Sequence, residues 1–251
     1  MDRITYLGHA SVLLELEGTR ILTDPLLLDR AFHLYRLSAL VPAEHYLNID
    51  AVLISHNHWD HLDLRSLRKL DRDTRLILPH GVGAMMQRRG YPNLEELREG
   101  EGTQVGSVRV EATHASHIGG RPLVSVSTGC SGYLIQGRRK IQFFGDTDFF
   151  AGMAEIADDL DVTLVPVAGW GPTLGDGHMD PQQAAEALDL LQPRLAIPIH
   201  WGTFYPFGLR QLGRAAGDDP ARSFSQIASR IAPQVEVRVF DPGEATYLQP
   251  S

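Results

Sequence analysis

Short apolar runs, many of them alternating with polar positions, recur along the whole chain. Alternation of this kind predicts β-strands, because successive side chains of a strand point to opposite faces of the sheet. Apolar runs without alternation, such as residues 162–167, indicate strands that are buried on both faces. We therefore predict strands at residues 4–7, 11–16, 20–23, 49–54, 75–78, 103–105, 108–113, 125–127, 131–136, 140–144, 162–167, 195–199 and 235–240.

Helical spacing separates many of these strands. Leu64, Leu67 and Leu70 recur at intervals of three, which predicts a helix. Asp180 followed by Pro181 predicts the start of another, because proline is favoured at the first helical position. We predict helices at residues 62–70, 82–89, 150–159, 182–191, 209–215 and 223–231, with a helical turn at residues 93–98. The pattern alone favours an α/β or α+β fold.

The segment 26–48 shows neither the alternation of a strand nor the spacing of a helix. It carries many apolar side chains, among them Leu26, Phe32, Leu34 and Leu40. One interpretation is a loop packed on the core. The other is a lid or wall over a functional site, because long loops in compact domains tend to be functional. In the second case its apolar content would suit a substrate with an apolar part.

The composition narrows the class of protein. The 251 residues are 43% hydrophobic and 22% charged, as in a globular protein with a large core, and no linker divides the chain, so we predict one domain over residues 1–251. The net charge of −8 argues against an extended nucleic-acid surface. No apolar run approaches the roughly 20 residues of a membrane span, and no signal peptide is evident. The single cysteine, Cys130, excludes an internal disulfide and favours a reducing cytoplasm.

The densest group of candidate ligands is the stretch Ser55-His56-Asn57-His58-Trp59-Asp60-His61. It follows a predicted strand and precedes a predicted helix. Imidazole and carboxylate are the preferred ligands of zinc and similar ions. His56 and His58 can pinch one ion, while Asp60 and His61 point towards a second. These four side chains are more ligands than one catalytic ion with an open position needs, but they are too few for two ions. Further ligands must therefore come from other parts of the chain.

Other predicted strand ends supply those ligands. Asp146 follows an apolar strand, and its two oxygens could bridge cations about 3.5–4 Å apart. His200 lies at a strand exit in the same way and is predicted as the last ligand. Either His114 or His117 should complete the first ion. Alternation along the strand places His114 on the buried face, in a structural role, whereas His117 lies past the strand end. We therefore predict His117 and keep His114 as the alternative.

Four more groups have open roles. His9 is either a turn residue or a neighbour of the site. Asp24 either orients a ligating histidine or starts a turn. His178, in a Gly-rich loop, is either a loop residue or a hydrogen-bond donor to a developing oxyanion. Cys130 has the character of a small buried residue more than of a ligand.

These motifs resemble those of the metallo-β-lactamase-fold hydrolases, in which His-x-His-x-Asp-His is the signature of dinuclear members. Within them the chain is most similar to the branch of N-acyl-phosphatidylethanolamine-hydrolysing phospholipase D and the ascorbate-6-phosphate lactonases. The resemblance spans most of the chain and is specific to the branch, not to a substrate. The matching segments are Gly8-His9-Ala10-Ser11-Val12-Leu13, Leu22-Thr23-Asp24-Pro25, residues 56–61, Gly145-Asp146-Thr147, His178-Met179-Asp180-Pro181 and Pro198-Ile199-His200-Trp201-Gly202-Thr203-Phe204, with Ala-x-His-x-x-Gly-Arg at His117.

The resemblance implies an α+β fold, an αββα four-layer sandwich in which two mixed β-sheets pack face to face with helices outside. It also implies a dinuclear metal centre. One ion would take His56, His58 and His117, and the other would take Asp60, His61 and His200, with Asp146 between them.

The expected activity is hydrolysis of a phosphodiester, or of a lactone or other ester, in a small-molecule substrate. A hydroxide bridging two divalent ions would attack, because coordination lowers the pKa of water from about 16 to about 7. Asp60 would orient this nucleophile and His178 would assist the leaving group. Zinc is the expected metal, and Mn, Fe or Ni would also suit these ligands. The alternatives are a non-catalytic metal-binding protein and a di-iron redox protein of the same fold. Substrate and oligomeric state stay open.

Overall fold

Two seven-stranded β-sheets dominate the computed structural model of the protein, which describes residues 1–31, 34–120, 128–156, 158–169, 174–206 and 219–249. The first sheet consists, from edge to edge, of Ala245–Tyr247 (β17), Arg3–Gly8 (β1), Ser11–Leu16 (β2), Thr19–Thr23 (β3), Ala51–Leu53 (β6), Arg75–Pro79 (β7) and Leu94–Leu97 (β8). The second consists of Glu236–Val237 (β16), Leu195–Ile199 (β14), Val162–Pro166 (β13), Lys140–Phe143 (β12), Gly132–Gln136 (β11), Val108–Thr113 (β10) and Gly102–Val105 (β9).

Both sheets are mixed. In the first sheet β3, β6, β7 and β8 are parallel, and β1 and β2 add antiparallel hairpin partners. In the second sheet β12, β13, β14 and β16 are parallel, while β9 to β12 form an antiparallel meander. The central parallel strands are the apolar ones, because both of their faces are covered.

Alternation along single strands explains the layers. Ala51 and Leu53 face the core between the two sheets, while Val52 packs on the outer side. Strand β13 divides in the same way, with Leu164 between the sheets and Val165 outside. The outer faces are covered by helices, so the predicted αββα sandwich of class α+β is confirmed.

Four α-helices supply the outer layers among the described residues. Leu64–Leu67 (α1) and Gly83–Arg88 (α2) cover the first sheet, and Pro181–Leu191 (α3) and Pro220–Ile231 (α4) cover the second. Short 3-10 helices lie at Ala43–His45 and Ala151–Glu155. As predicted, Asp180 caps α3: its side chain accepts a hydrogen bond from the Gln183 amide and Pro181 follows it. None of the helices described is long and apolar enough to cross a bilayer.

Several predicted elements differ from the structure. Residues 93–98 are not a helical turn but contain strand β8, which pairs with β7 and buries Leu97. Their leucines at intervals of three and two glutamates favour a helix locally, but pairing across the sheet decides the outcome. The helices predicted at 62–70 and 150–159 shrink to α1 and to a 3-10 helix, and the strand at 235–240 shrinks to β16. The strand predicted at 125–127 and the helix predicted at 209–215 lie outside the described residues.

The segment 26–48, predicted without regular structure, contributes to a third, small sheet. Its strands are Arg30–Ala31 (β4), Leu34–Arg36 (β5) and Phe204–Pro206 (β15). The Arg36 guanidinium is buried and donates hydrogen bonds to the carbonyls of Leu7, Leu26 and Leu28. The bond to Leu7 ties the segment to strand β1, and the other two bonds hold the segment together. Phe32 lies outside the described residues.

Candidate metal centre

The candidate ligands converge because each follows a strand that runs in the same direction. In the first sheet these are His9 after β1, Asp24 after β3 and residues 55–61 after β6. In the second sheet they are His117 after β10, Asp146 after β12, His178 after β13 and His200 after β14. The carboxyl ends of such strands meet at one edge of each sheet, and packing the two sheets brings the edges together.

The first group consists of His56, His58, His117 and Asp146, whose candidate donor atoms lie within 4.8 Å of one another. His58 Nδ1 lies 2.8 Å from His56 Nε2 and 3.3 Å from His117 Nε2. Asp146 Oδ2 lies 3.7 Å from His56 Nε2. Donors of a tetrahedral zinc site are about 3.3 Å apart, given metal–nitrogen distances of about 2.0–2.1 Å. This group therefore has the spacing to hold one ion.

The second group consists of His9, Asp60, His61 and His200, again with donor atoms within 4.8 Å. Asp60 Oδ2 lies 3.0 Å from His9 Nε2 and 3.4 Å from Nε2 of both His61 and His200. Sequence reasoning left the role of His9 open. It reaches this group because Gly8 and His9 both adopt positive φ, 105° and 57°, in the turn between β1 and β2. The Gly-His pair in a short turn was the available signal.

Asp146 contacts both groups. Its Oδ2 lies 3.1 Å from His61 Nε2, and its Oδ1 lies 3.2 Å from His200 Nε2, in addition to the contact with His56. The side chain is only 2% exposed. A single buried carboxylate thus contacts histidines of both groups.

Outer hydrogen bonds fix the orientation of the rings. His117 Nδ1 donates to the Gly177 carbonyl at 2.8 Å, and His200 Nδ1 donates to the Ala168 carbonyl at 2.9 Å. A ring that donates from Nδ1 presents the lone pair of Nε2 to the centre when it is neutral. Both histidines are therefore held in the tautomer that a metal ligand needs.

Asp24 holds the loop 55–61 from behind. Its Oδ1 accepts from the Ser55 amide at 2.7 Å, and its Oδ2 accepts from the Ser55 hydroxyl at 2.5 Å and lies 2.7 Å from His61 Nδ1. The same hydroxyl lies 2.9 Å from His56 Nδ1. Asp24 and Ser55 thereby connect one histidine of each group. Of the two roles considered for Asp24, the geometry favours orientation of a histidine.

The protonation states suit cation binding. Burial lowers the pKa of His9 to about 3 and that of His117 to about 4, so both rings are neutral near pH 7. Burial would raise the pKa of Asp146, but the charges of His200 and His61 bring it well below its usual range. His61 is the exception. Burial lowers its pKa, yet three surrounding carboxylates raise it well above the ordinary value, so a cation that binds there must displace a proton.

Two buried atoms of the centre approach other donor groups at 3.1 and 3.2 Å without the geometry of a regular hydrogen bond among the described residues. They are His61 Nε2 and Asp146 Oδ1. Buried polar atoms are nearly always satisfied, and these two face the other donors. The neutral imidazoles of His9 and His117 and the ionised carboxylate of Asp146 form a donor set that fits a divalent cation. The residues present therefore suit the metal that the sequence predicted.

His178 and His114 lie outside both groups. His178 Nε2 is 3.3 Å from Asp146 Oδ2, and its ring lies 4.9 Å from the ring of His117, so it borders the centre. His114 is exposed, and its Nδ1 lies 2.9 Å from Glu99 Oε2. The prediction that His114 is buried was wrong, because β10 ends at Thr113 and the alternation of the strand no longer applies. Cys130 is half-buried and belongs to neither group.

This difference makes a testable pair. His117→Ala should weaken metal binding about 10- to 100-fold or more, because the first group loses a donor that the Gly177 carbonyl already orients. His114→Ala should leave metal content unchanged, because its ring points to Glu99 and away from the centre. Metal analysis after dialysis against a graded chelator series measures both. Metal loss in the His114 variant alone would transfer the ligand to that residue.

Comparison with known proteins agrees with this fold. Residues 19–201 match the family model of the beta-lactamase superfamily domain. An uncharacterized protein of Mycobacterium tuberculosis is 33% identical over 82% of the chain, and the chain spans 61% of that relative's length. A metal-dependent hydrolase of Methanopyrus kandleri is 31% identical over 97% of the chain and 98% of its own length. N-acyl-phosphatidylethanolamine-hydrolyzing phospholipase D 1 of Caenorhabditis elegans is 30% identical over 81% of the chain and 64% of its own length.

A solved structure shows the same architecture. The metallo hydrolase of the archaeon Ignicoccus hospitalis superposes with a TM-score of 0.76 over 100% of this chain and 99% of its own, at 23% identity. At that identity the likeness supports the fold alone. The family model covers more than half of the sequence, and it includes the loop 55–61 and His200. The chain therefore belongs to the beta-lactamase superfamily.

Proposed function

We propose that the chain is a dinuclear metal-dependent hydrolase that cleaves a phosphodiester, or a lactone or other ester, in a small-molecule substrate. The observation that carries the proposal is the pair of donor groups that share contact with one buried carboxylate, Asp146. The name of the Methanopyrus relative, a metal-dependent hydrolase, supports hydrolysis. The name of the Caenorhabditis relative, a phospholipase D, supports a phosphodiester substrate. Zinc is the metal we propose, because imidazole and carboxylate donors at this spacing suit it.

Each group of donors has its own assignment. When bound, two divalent ions supply an ionised water near neutral pH and positive charge for a developing oxyanion. The first group would hold one ion and the second group the other, with Asp146 between them. His9 stands beside Asp60 in the second group, as an added donor or as the residue that fixes Asp60. The assigned ligands are His56, His58, Asp60, His61, His117, Asp146 and His200.

Two residues have a role beyond ligation. Asp60 Oδ2 is held between His9, His61 and His200, which fixes the carboxylate beside the centre, where it would orient the attacking water. His178 borders the centre and is partly open to solvent. Burial lowers the pKa of His178, but the hydrogen bond with Asp146, the charge of Asp146 and the Gly175 carbonyl together raise it above its usual value. A protonated His178 can give its proton to the leaving oxygen.

The segment 26–48 forms part of the surroundings. Leu26, Ala31 and Leu34 pack on Phe204, whose ring lies 5.9 Å from the ring of His9. The described part of the segment is thus packed and anchored, as the first of its two interpretations required. We propose that it also acts as a fixed wall for an apolar part of the substrate. The single cysteine keeps a reducing cytoplasm as the proposed location.

A direct test combines metal analysis with turnover. The purified full chain should carry two ions, and its hydrolysis of bis(4-nitrophenyl) phosphate or of a lactone should stop on chelation and return on addition of zinc. Parallel loading with Mn, Fe and Ni compares the metals, and heat-denatured protein with the same ions is the control. Two bound ions without chelator-sensitive turnover on any substrate of the panel would favour the non-catalytic protein. Spectroscopic signals of a redox-active di-iron pair would favour the redox protein.

A further inference from the structure

A pocket of about 380 Å³ opens beside the loop 55–61. It is lined by apolar side chains and by three arginines from two parts of the chain. The apolar members are Trp59, Leu62 and Leu64, and the arginines are Arg30, Arg65 and Arg68. Arg30 comes from strand β4 of the small sheet, Arg65 lies in helix α1, and Arg68 caps the C-terminal end of that helix. No role for this pocket follows from the metal centre.

The charge of the pocket is opposite to that of the chain. Asp63 is its single acidic lining residue, which leaves a net charge of +2 in a protein whose formal charge is −8. The Asp63 carboxylate is already engaged by the amides of Arg65 and Ser66 at the start of α1, and by Arg65 Nε at 3.4 Å. Within the described ranges, neither Arg30 nor Arg68 forms an ion pair with a carboxylate. Two guanidinium groups of the pocket are therefore available to pair with an anionic ligand.

The position of the arginines is partly fixed. Arg30 stacks over the ring of Tyr35, with 5.7 Å between the guanidinium carbon and the ring centre. Its carbonyl accepts a hydrogen bond from Arg65 Nη2. The small sheet and helix α1 are thus connected across the pocket. A ligand would find a site that is largely preformed.

Trp59 lines the pocket and is adjacent in sequence to residues of the metal centre. It lies between His58 of the first group and Asp60 of the second, and its side chain is 43% exposed. Consecutive Cα atoms are about 3.8 Å apart, so the backbone of Trp59 stands beside both groups while its indole lines the pocket. A substrate held at the centre can extend along this ring.

We propose that the arginine pocket binds a phosphate group that the substrate carries away from its scissile bond, next to an apolar portion that packs on Trp59. Planar guanidiniums bind phosphate oxygens in pairs, and the net charge of +2 matches a phosphate dianion. A neutral ester or a simple lactone would leave Arg30 and Arg68 unused. This proposal rests on the proposed function, because it takes the phosphate-bearing ligand to be the substrate of the hydrolase.

The test uses a ligand that cannot be hydrolysed, so its outcome does not depend on turnover. Phenylphosphonate is titrated into the metal-loaded full chain at pH 8 and binding is measured by calorimetry. The double variant Arg30→Ala/Arg68→Ala should bind it at least about tenfold more weakly, because two charge-assisted contacts are lost. Both side chains are exposed, so the fold should be retained, as circular dichroism will check. Arg68→Glu alone should weaken binding in the same direction.

The matched control is the double variant Arg88→Ala/Arg230→Ala, which removes the same charge from exposed positions outside the pocket. Its affinity for phenylphosphonate should stay within about twofold of the parent. If both double variants bind phenylphosphonate equally weakly, the loss of affinity comes from the net charge of the protein and not from the pocket. That result would overturn the proposal. Unchanged affinity in the Arg30/Arg68 variant would place the phosphonate at the metals alone. Inorganic phosphate binding as tightly as phenylphosphonate would make this a site for the free ion and not for a substrate.

Discussion

Asp146→Ala is expected to lose both metal ions and to lower turnover by on the order of 10³ or more. The carboxylate lies within 3.1–3.7 Å of His56, His61 and His200, so its removal takes a donor from each group. It also removes one of the three negative charges that raise the pKa of His61, but the lost donor outweighs the easier release of that proton. Metal content by mass spectrometry and chelator-sensitive hydrolysis measure the result.

Asp148→Asn provides the matched control. Asp148 lies two residues further on, and its Oδ1 accepts from the Phe149 amide at 2.8 Å and from Gln183 Nε2 at 3.3 Å, away from the donors. This variant should keep two ions and most of its activity. Asp146→Asn retains the shape of the side chain and separates loss of charge from loss of packing. An Asp146→Ala protein that still binds two ions with full turnover would contradict the dinuclear assignment.

The strands that are buried on both faces were the part of the fold that the sequence predicted best. The apolar runs that became β13 and β14 are short and rich in β-branched residues, which favours strands that are covered on both faces. Residues 93–98 show the limit of local reasoning. Glutamate and leucine favour helix, and only the neighbour β7, about twenty residues earlier in the chain, makes the segment a strand. The tertiary partner was not visible in the local pattern.

Some residues of the candidate site were predictable from the local sequence, and others depend on the fold. The cluster at 56–61 is local in sequence, so its composition alone indicated metal chemistry. Asp146 and His200 were found because each follows an apolar strand. His9 was left open because its place depends on two positive φ angles in a turn and on the distant Asp60. The end of β10 at Thr113 was predicted correctly, and the error for His114 was to extend the alternation of the strand to the residue that follows it.

The last prediction concerns His178, which should act on the leaving group without binding metal. Its Nδ1 donates to the Gly175 carbonyl at 3.2 Å, and its Nε2 lies 3.3 Å from Asp146 Oδ2. The ring therefore borders the centre while the assigned ligands are complete without it. Loss of one such donor typically lowers turnover by about 10²–10³. His178→Ala should keep both ions and show this fall in kcat, with a smaller change in KM.

The leaving group separates this role from a structural one. A proton donor matters most when the leaving oxygen is basic, so the defect of His178→Ala should shrink on nitrophenyl esters and be largest on alkyl esters. A residue that only supports the loop would lower both rates alike. His80→Ala, at an exposed histidine near Glu96, should leave both rates at the parent level. Loss of metal from the His178 variant would make this residue a ligand, and an unchanged kcat on an alkyl ester would remove it from the mechanism.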